Sequence, residues 1–134
     1  MALATVYQDD GFLDARRAAV VALANPRNRL DYTVRLSRTL ELTGGLGRVT
    51  VSIRYVPDAL VMDATCLANY CTVLADQEWD SLEMLAACIL DDLNNELVPR
   101  WVRVRLTSTL DQGTTQAELV MEDRQPNWTG RITD

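Results

Sequence analysis

Three thiols, Cys66, Cys71 and Cys88, are the strongest nucleophiles this chain can offer. A cysteine attacks as its thiolate, so its surroundings decide whether it reacts. Cys66 falls in the first turn of an expected helix, where the helix dipole lowers a thiol pKa. It also stands among Leu and Ala, where a cysteine serves as a small core residue. Both readings stay open. Cys71 falls on an apolar stripe and Cys88 beside one, so both are expected to pack. The odd count and the lack of a CxxC pair argue against a disulfide framework. Carboxylates are the other candidates. Asp80-Ser81-Leu82-Glu83 has the spacing of a capping box, in which Glu83 bonds back to the helix start. Asp91 and Asp92 suit a solvated helix face, and no third ligand for a metal accompanies them. Trp79 suits a loop aromatic that closes the core, or a platform for a planar ligand.

The missing residue types exclude as much as these allow. All 13 basic residues are Arg, and the chain has neither Lys nor His. No imidazole can act as general base, complete a Ser-His triad or ligate zinc, and no lysine can form a Schiff base. The net charge of −6 opposes nucleic acid at long range. No stretch is long and apolar enough to span a membrane and no signal peptide is evident, so a cytoplasmic protein is expected. With 134 residues, 48% of them apolar, a single domain with one core is expected over 1–134.

The elements that must position these groups read as follows. Asp9 or Asp10 caps a first helix that runs to about Ala24, where Asn25-Pro26 stops it. This helix forms an N-terminal extension over 1–28. Leu30, Tyr32, Val34 and Leu36 alternate with polar residues in a strand, and Arg38 breaks the alternation, a sign of a bulge or a partner. Val49, Val51, Ile53 and Tyr55 form its hairpin mate. Between them lies TLELTGGLGRV, Thr39 to Val49, a glycine-bearing loop in which Glu41 is the one ionisable side chain before Arg48. Asp63 caps a helix to about Ala75, and a second runs from about Ser81 to Leu97, ended by Pro99. Two more strands carry Val102, Val104 and Leu106, then Ala117, Leu119 and Met121. A polar tail over 124–134 is expected to pack loosely. The order is a helix followed by ββααββ: an α+β fold, with a four-stranded antiparallel sheet and two antiparallel helices on one face. The opposite face would carry Arg35, Arg48, Arg54, Arg103 and Arg105.

This order resembles the tunnelling fold (T-fold), whose subunits assemble into rings with ligand sites between them. The stretches DYTVRL, VTVSIRYVPDALVMD and LEMLAACILDDLNNELVPRWVRV resemble the 7-cyano-7-deazaguanine (preQ0) reductases, the QueF-like branch of queuosine biosynthesis. YVPD and DDLNNELVPRW are the most specific parts. The resemblance implies a nitrile reductase that uses NADPH, with a cysteine nucleophile ahead of a Thr-Gly pair and an aspartate acid soon after. Here the pair is Thr43-Gly44, Leu40 holds the cysteine's place and Gly47 the aspartate's. The helix start that should grip cofactor phosphates with lysine reads DATCLANY, Asp63 to Tyr70. The arginine-glycine turn of the family reads Asp111-Gln112-Gly113. The base-binding glutamate survives as Glu83.

The resemblance therefore implies a reductase-like pseudoenzyme. No catalytic residue, cofactor or metal is expected. A homo-oligomeric ring would hold a purine or 7-deazapurine at a subunit interface through Glu83, Thr65, Cys66 and Trp79. Two alternatives stand beside it. One is an active NADPH-dependent nitrile reductase or amidinotransferase that uses Cys66. The other is a purely structural oligomeric subunit.

Overall fold

The computed structural model describes residues 10–132. Helix α1 covers Asp10–Ala18, α2 covers Leu67–Ala75 and α3 covers Leu82–Leu97. The strands are β1 Ala22–Ala24, β2 Val34–Glu41, β3 Arg48–Val56, β4 Leu60–Met62, β5 Trp101–Leu110 and β6 Thr115–Arg124. The main sheet is antiparallel in the order β2-β3-β5-β6, and β1 pairs with β4 in a small second sheet. Period-two alternation builds the layers. Val49, Val51, Ile53 and Tyr55 of β3 are buried, as are Val102, Val104 and Leu106 of β5. They meet the stripe of α3, where Leu85, Ala86, Ile89 and Leu93 are fully buried. Burying each such side chain stabilises the fold by about 1.5–3 kcal/mol.

Four expectations change. The first helix stops at Ala18 rather than near Ala24, and Ala22–Ala24 forms β1 against Leu60–Met62. The β-branched pair Val20-Val21 favours extension over helix, and Val21 accepts a bond from the Asp63 amide at 2.8 Å. The cap at Asp9 and the rest of residues 1–9 lie outside the described residues, as do 133 and 134. Strand β2 begins at Val34, not Leu30. The guanidinium of Arg100 takes the carbonyl oxygens of Leu30, at 2.8 Å, and of Asn28, and so holds that backbone as a loop. Arg38 makes no bulge: the β2–β3 register runs unbroken from Val34↔Tyr55 to Glu41↔Arg48. It lies on the helix side of an edge strand, where a long side chain still reaches water. The tail is stapled, not loose. Gln125 donates to Asp58 Oδ2 at 3.0 Å and to the Val98 carbonyl at 3.1 Å, and the Trp128 indole donates to Asp31 at 3.2 Å.

Candidate functional site

The glycine loop lies at one end of the molecule, and its leucines explain its shape. Leu40 pairs with Val49 on the helix side of the sheet and is 6% exposed. Leu42 and Leu46 turn into the same core. The Leu42 amide closes the loop on the Gly47 carbonyl at 2.7 Å, and the Ser108 hydroxyl donates to Leu46 at 3.0 Å. Gly44 and Gly47 take φ of +88° and +60°, which only glycine adopts without strain. The loop is thus a hydrocarbon plug over the core. A groove beside it is lined by Gly45, Leu46, Trp79, Asp80, Leu110, Asp111 and Thr115.

Trp79 sits in the wall of that groove but is 4% exposed. Its indole N–H donates to the Leu74 carbonyl at 2.8 Å, and its ring meets Phe12 with centroids 5.9 Å apart. Glu83 follows in the first turn of α3. The capping box does not form. Ser81 is the N-cap, and its hydroxyl accepts from the Met84 amide at 3.1 Å. With the cap one residue later than expected, Glu83 takes the second helical position and not the third. Its carboxylate is exposed and makes no hydrogen bond or ion pair among the described residues.

Thr65 and Cys66 lie elsewhere. They belong to a short 3-10 turn, Ala64–Cys66, capped by Asp63. The amide and hydroxyl of Thr65 both donate to Asp63 Oδ1, at 3.0 and 2.7 Å. The side-chain bond from Thr65, then the backbone one, holds the Asp63 carboxyl below its usual pKa. The Cys66 amide donates to the Asp63 carbonyl at 3.0 Å. Both amides expected to meet a ligand are therefore engaged within the chain. Cys66 is 8% exposed, and its sulfur accepts from the Val21 amide at 3.4 Å.

These groups do not converge in one chain. The six-residue link between α2 and α3 makes the helices antiparallel neighbours, and Tyr70 meets Asp92 across them. Glu83 lies nine residues before Asp92, and Cys66 four before Tyr70. At about 1.5 Å per residue, Cys66 and Glu83 are on the order of 20 Å apart. A site that uses both needs two subunits.

Sequence patterning missed the polar centre of the molecule. Asp92, expected in solvent, is 0% exposed. Arg16 donates to it through Nε at 2.8 Å and Nη2 at 3.1 Å, Tyr70 through its hydroxyl at 2.6 Å, and Arg17 through Nε at 3.3 Å. Arg16 is itself buried, lies 4.8 Å over the Phe12 ring, and leaves Nη1 without a hydrogen-bond partner among the described residues. This cluster fastens α1 to the helix pair. A signal was present: Asp92 falls three residues after Ile89 and seven after Leu85, on the buried stripe. Cys71 and Cys88 are buried as expected, and burial pushes both thiols up to about 11.

Two antiparallel helices laid across one face of a ββααββ sheet define this chain as a protein of the tunnelling fold. Among solved structures it is similar to an archaeosine synthase QueF-Like in the apo form, with 22% identity and a TM-score of 0.56. The match covers 67% of this chain and 91% of that one. No protein-family model matches the chain, and no curated protein matches it in sequence.

Proposed function

We propose that this chain is a reductase-like tunnelling-fold protein without catalysis, which holds a purine or 7-deazapurine at the boundary between identical subunits. The observation that carries this reading is the free carboxylate of Glu83. An exposed carboxylate in the first turn of a helix, released from capping by Ser81, can accept two parallel N–H bonds from a guanine-like edge. Thr65 enters such a site across a subunit boundary, through its hydroxyl oxygen, while the Trp79 groove lies at the same end of the helix pair as Glu83. The archaeosine synthase name of the structural neighbour supports a relation to queuosine- and archaeosine-type chemistry.

The burial of Leu40 supports the loss of reduction. The position of the family's nucleophile carries hydrocarbon aimed at the core. Thioimidate formation needs a thiolate in contact with substrate. Cys66, the alternative nucleophile, is buried with its sulfur held by a backbone amide. The residues present do not fit NADPH. The groove at the β5–β6 turn presents the carboxylates Asp80 and Asp111, which repel phosphates, and none of its lining residues among those described is basic.

Thermal melts with guanine, 7-cyano-7-deazaguanine and adenine test this reading. A melting-temperature rise with guanine-like bases, lost in Glu83→Gln, is expected, together with sedimentation as a ring. No rise with any purine would leave the structural-subunit reading. Cofactor oxidation with the nitrile base, or a covalent mass shift mapped to Cys66, would restore the enzyme.

A further inference from the structure

Helix α1 docks with one aromatic ring and one charge. Among its described side chains, Phe12 and Arg16 are buried and the rest are not. Phe12 supplies the apolar contact. Arg16 supplies the anchor, donating to Asp92 at 2.8 and 3.1 Å, and Arg17 adds a longer bond at 3.3 Å. A buried ion pair is weak evidence for stability, because taking two charges out of water offsets their attraction. Arg16 Nη1, buried without a hydrogen-bond partner among the described residues, is a further cost of the docked state. Undocking returns these charges to water. A helix of nine residues is marginal by itself, so release and melting of α1 are one event. From Val21 onward the chain is fastened again, by the Asp63 amide on the Val21 carbonyl at 2.8 Å and by β1 on β4. The opening ends there and leaves the ββααββ core whole.

What α1 covers gives the opening a consequence. Phe12 meets the ring of Trp79, and Trp79 lines the groove at the start of α3. Asp80 of the same groove stands three residues before Glu83. Two thiols report on the two sides of the helix pair. Cys88 is 0% exposed, lies one helical turn before Asp92, and feels the Arg16 charge, which places it beneath α1. Cys71, 2% exposed, faces the sheet, with Arg38 of β2 as its charged neighbour.

We propose that α1 is a clasp that opens as a unit while the core stays folded, and that its closure, through Trp79, sets the groove beside Glu83 for its ligand. The second part rests on the purine reading of that site. The closed clasp holds the Trp79 ring in the groove wall, and the open clasp leaves that ring without its Phe12 support. The coupling is reciprocal: a base bound in the groove holds α1 down by the factor by which closed α1 improves binding.

Thiol labelling with an aromatic disulfide, followed site by site by mass at urea concentrations below the unfolding transition, tests the proposal. Cys88 is expected to be protected at least about a hundredfold less than Cys71. Its labelling should change little with urea, because little surface opens, while Cys71 follows the slope of global unfolding. Ala15→Gly, on the exposed face of α1, should speed Cys88 labelling about fivefold through its lower helix propensity. Guanine at about ten times its dissociation constant should slow it by up to about tenfold. Equal protection and equal slope at Cys88 and Cys71, or no acceleration in Ala15→Gly, would overturn the clasp. Guanine that raises the melting temperature but leaves Cys88 labelling unchanged would overturn the coupling. Guanine that does not bind sinks the purine reading and the coupling with it, and labelling without ligand still decides the clasp.

Discussion

Replacing Asp92 with asparagine should be among the most damaging single-atom changes available to this protein. The carboxylate is 0% exposed and receives bonds from Arg16 twice, from Tyr70 and from Arg17. An amide of the same shape keeps one acceptor oxygen but turns an NH2 group toward donors. Arg16, 1% exposed, then keeps its charge beside the Phe12 ring with at most one neutral amide oxygen in place of a carboxylate. Breaking a buried pair by removing one partner costs about 3–5 kcal/mol. Against a total stability of roughly 5–15 kcal/mol, that is about a fifth or more. The melting temperature should fall by about 10–20 °C. The converse change is milder. Arg16→Met removes a cation whose Nη1 has no hydrogen-bond partner among the described residues, and it leaves Asp92 with Tyr70 and Arg17. Urea unfolding of Asp92→Asn, Arg16→Met and the pair Arg16→Met/Asp92→Asn gives a double-mutant cycle. The order expected is Asp92→Asn worst, Arg16→Met intermediate, and the double variant better than the sum of its parts. A loss below about 1 kcal/mol in Asp92→Asn, or strict additivity, would refute the view that this cluster is a buried, mutually dependent pair.

Two further outcomes follow from the described geometry. Val98 ends α3 with φ of +47°, costly for a β-branched side chain, and it is 56% exposed. Val98→Gly should raise stability by about 0.5–1 kcal/mol after the entropy cost of glycine, read as a higher urea midpoint with unchanged slope. Burial raises Cys71 and Cys88 from 9.0 to about 11, so the folded protein holds these protons more tightly than the unfolded chain does. Their contribution is whole below pH 9 and is lost as pH rises toward 11. The urea midpoint should stay level to about pH 8.5, then fall, and fall less steeply in Cys88→Ala.

The layers were legible because period-two and period-3.6 patterns report which residues share a face, and Val49 to Tyr55 and Leu82 to Leu97 do so without ambiguity. Patterns do not report partners. Asp92 lay on the buried stripe, but its charge argued for solvent until Arg16, 76 positions away, came within 2.8 Å. The loop from Asn28 to Asp31 alternated like a strand, and the side chain of Arg100 claimed its carbonyls. The cap at α3 shifted by one residue because Asp80 and Ser81 can both serve, and Ser81 does. That single position decides whether Glu83 is a capping group or a free carboxylate. The arginine face shows the same boundary from the other side. Alternation places Arg35, Arg54, Arg103 and Arg105 on one face of the sheet, whatever the pairing. Which arginine opposes which depends on register, which alternation alone does not give. The observed register sets three of them in line. Like charges held in line by backbone pairing are a cost, and Glu122 beside Arg103 offsets part of it.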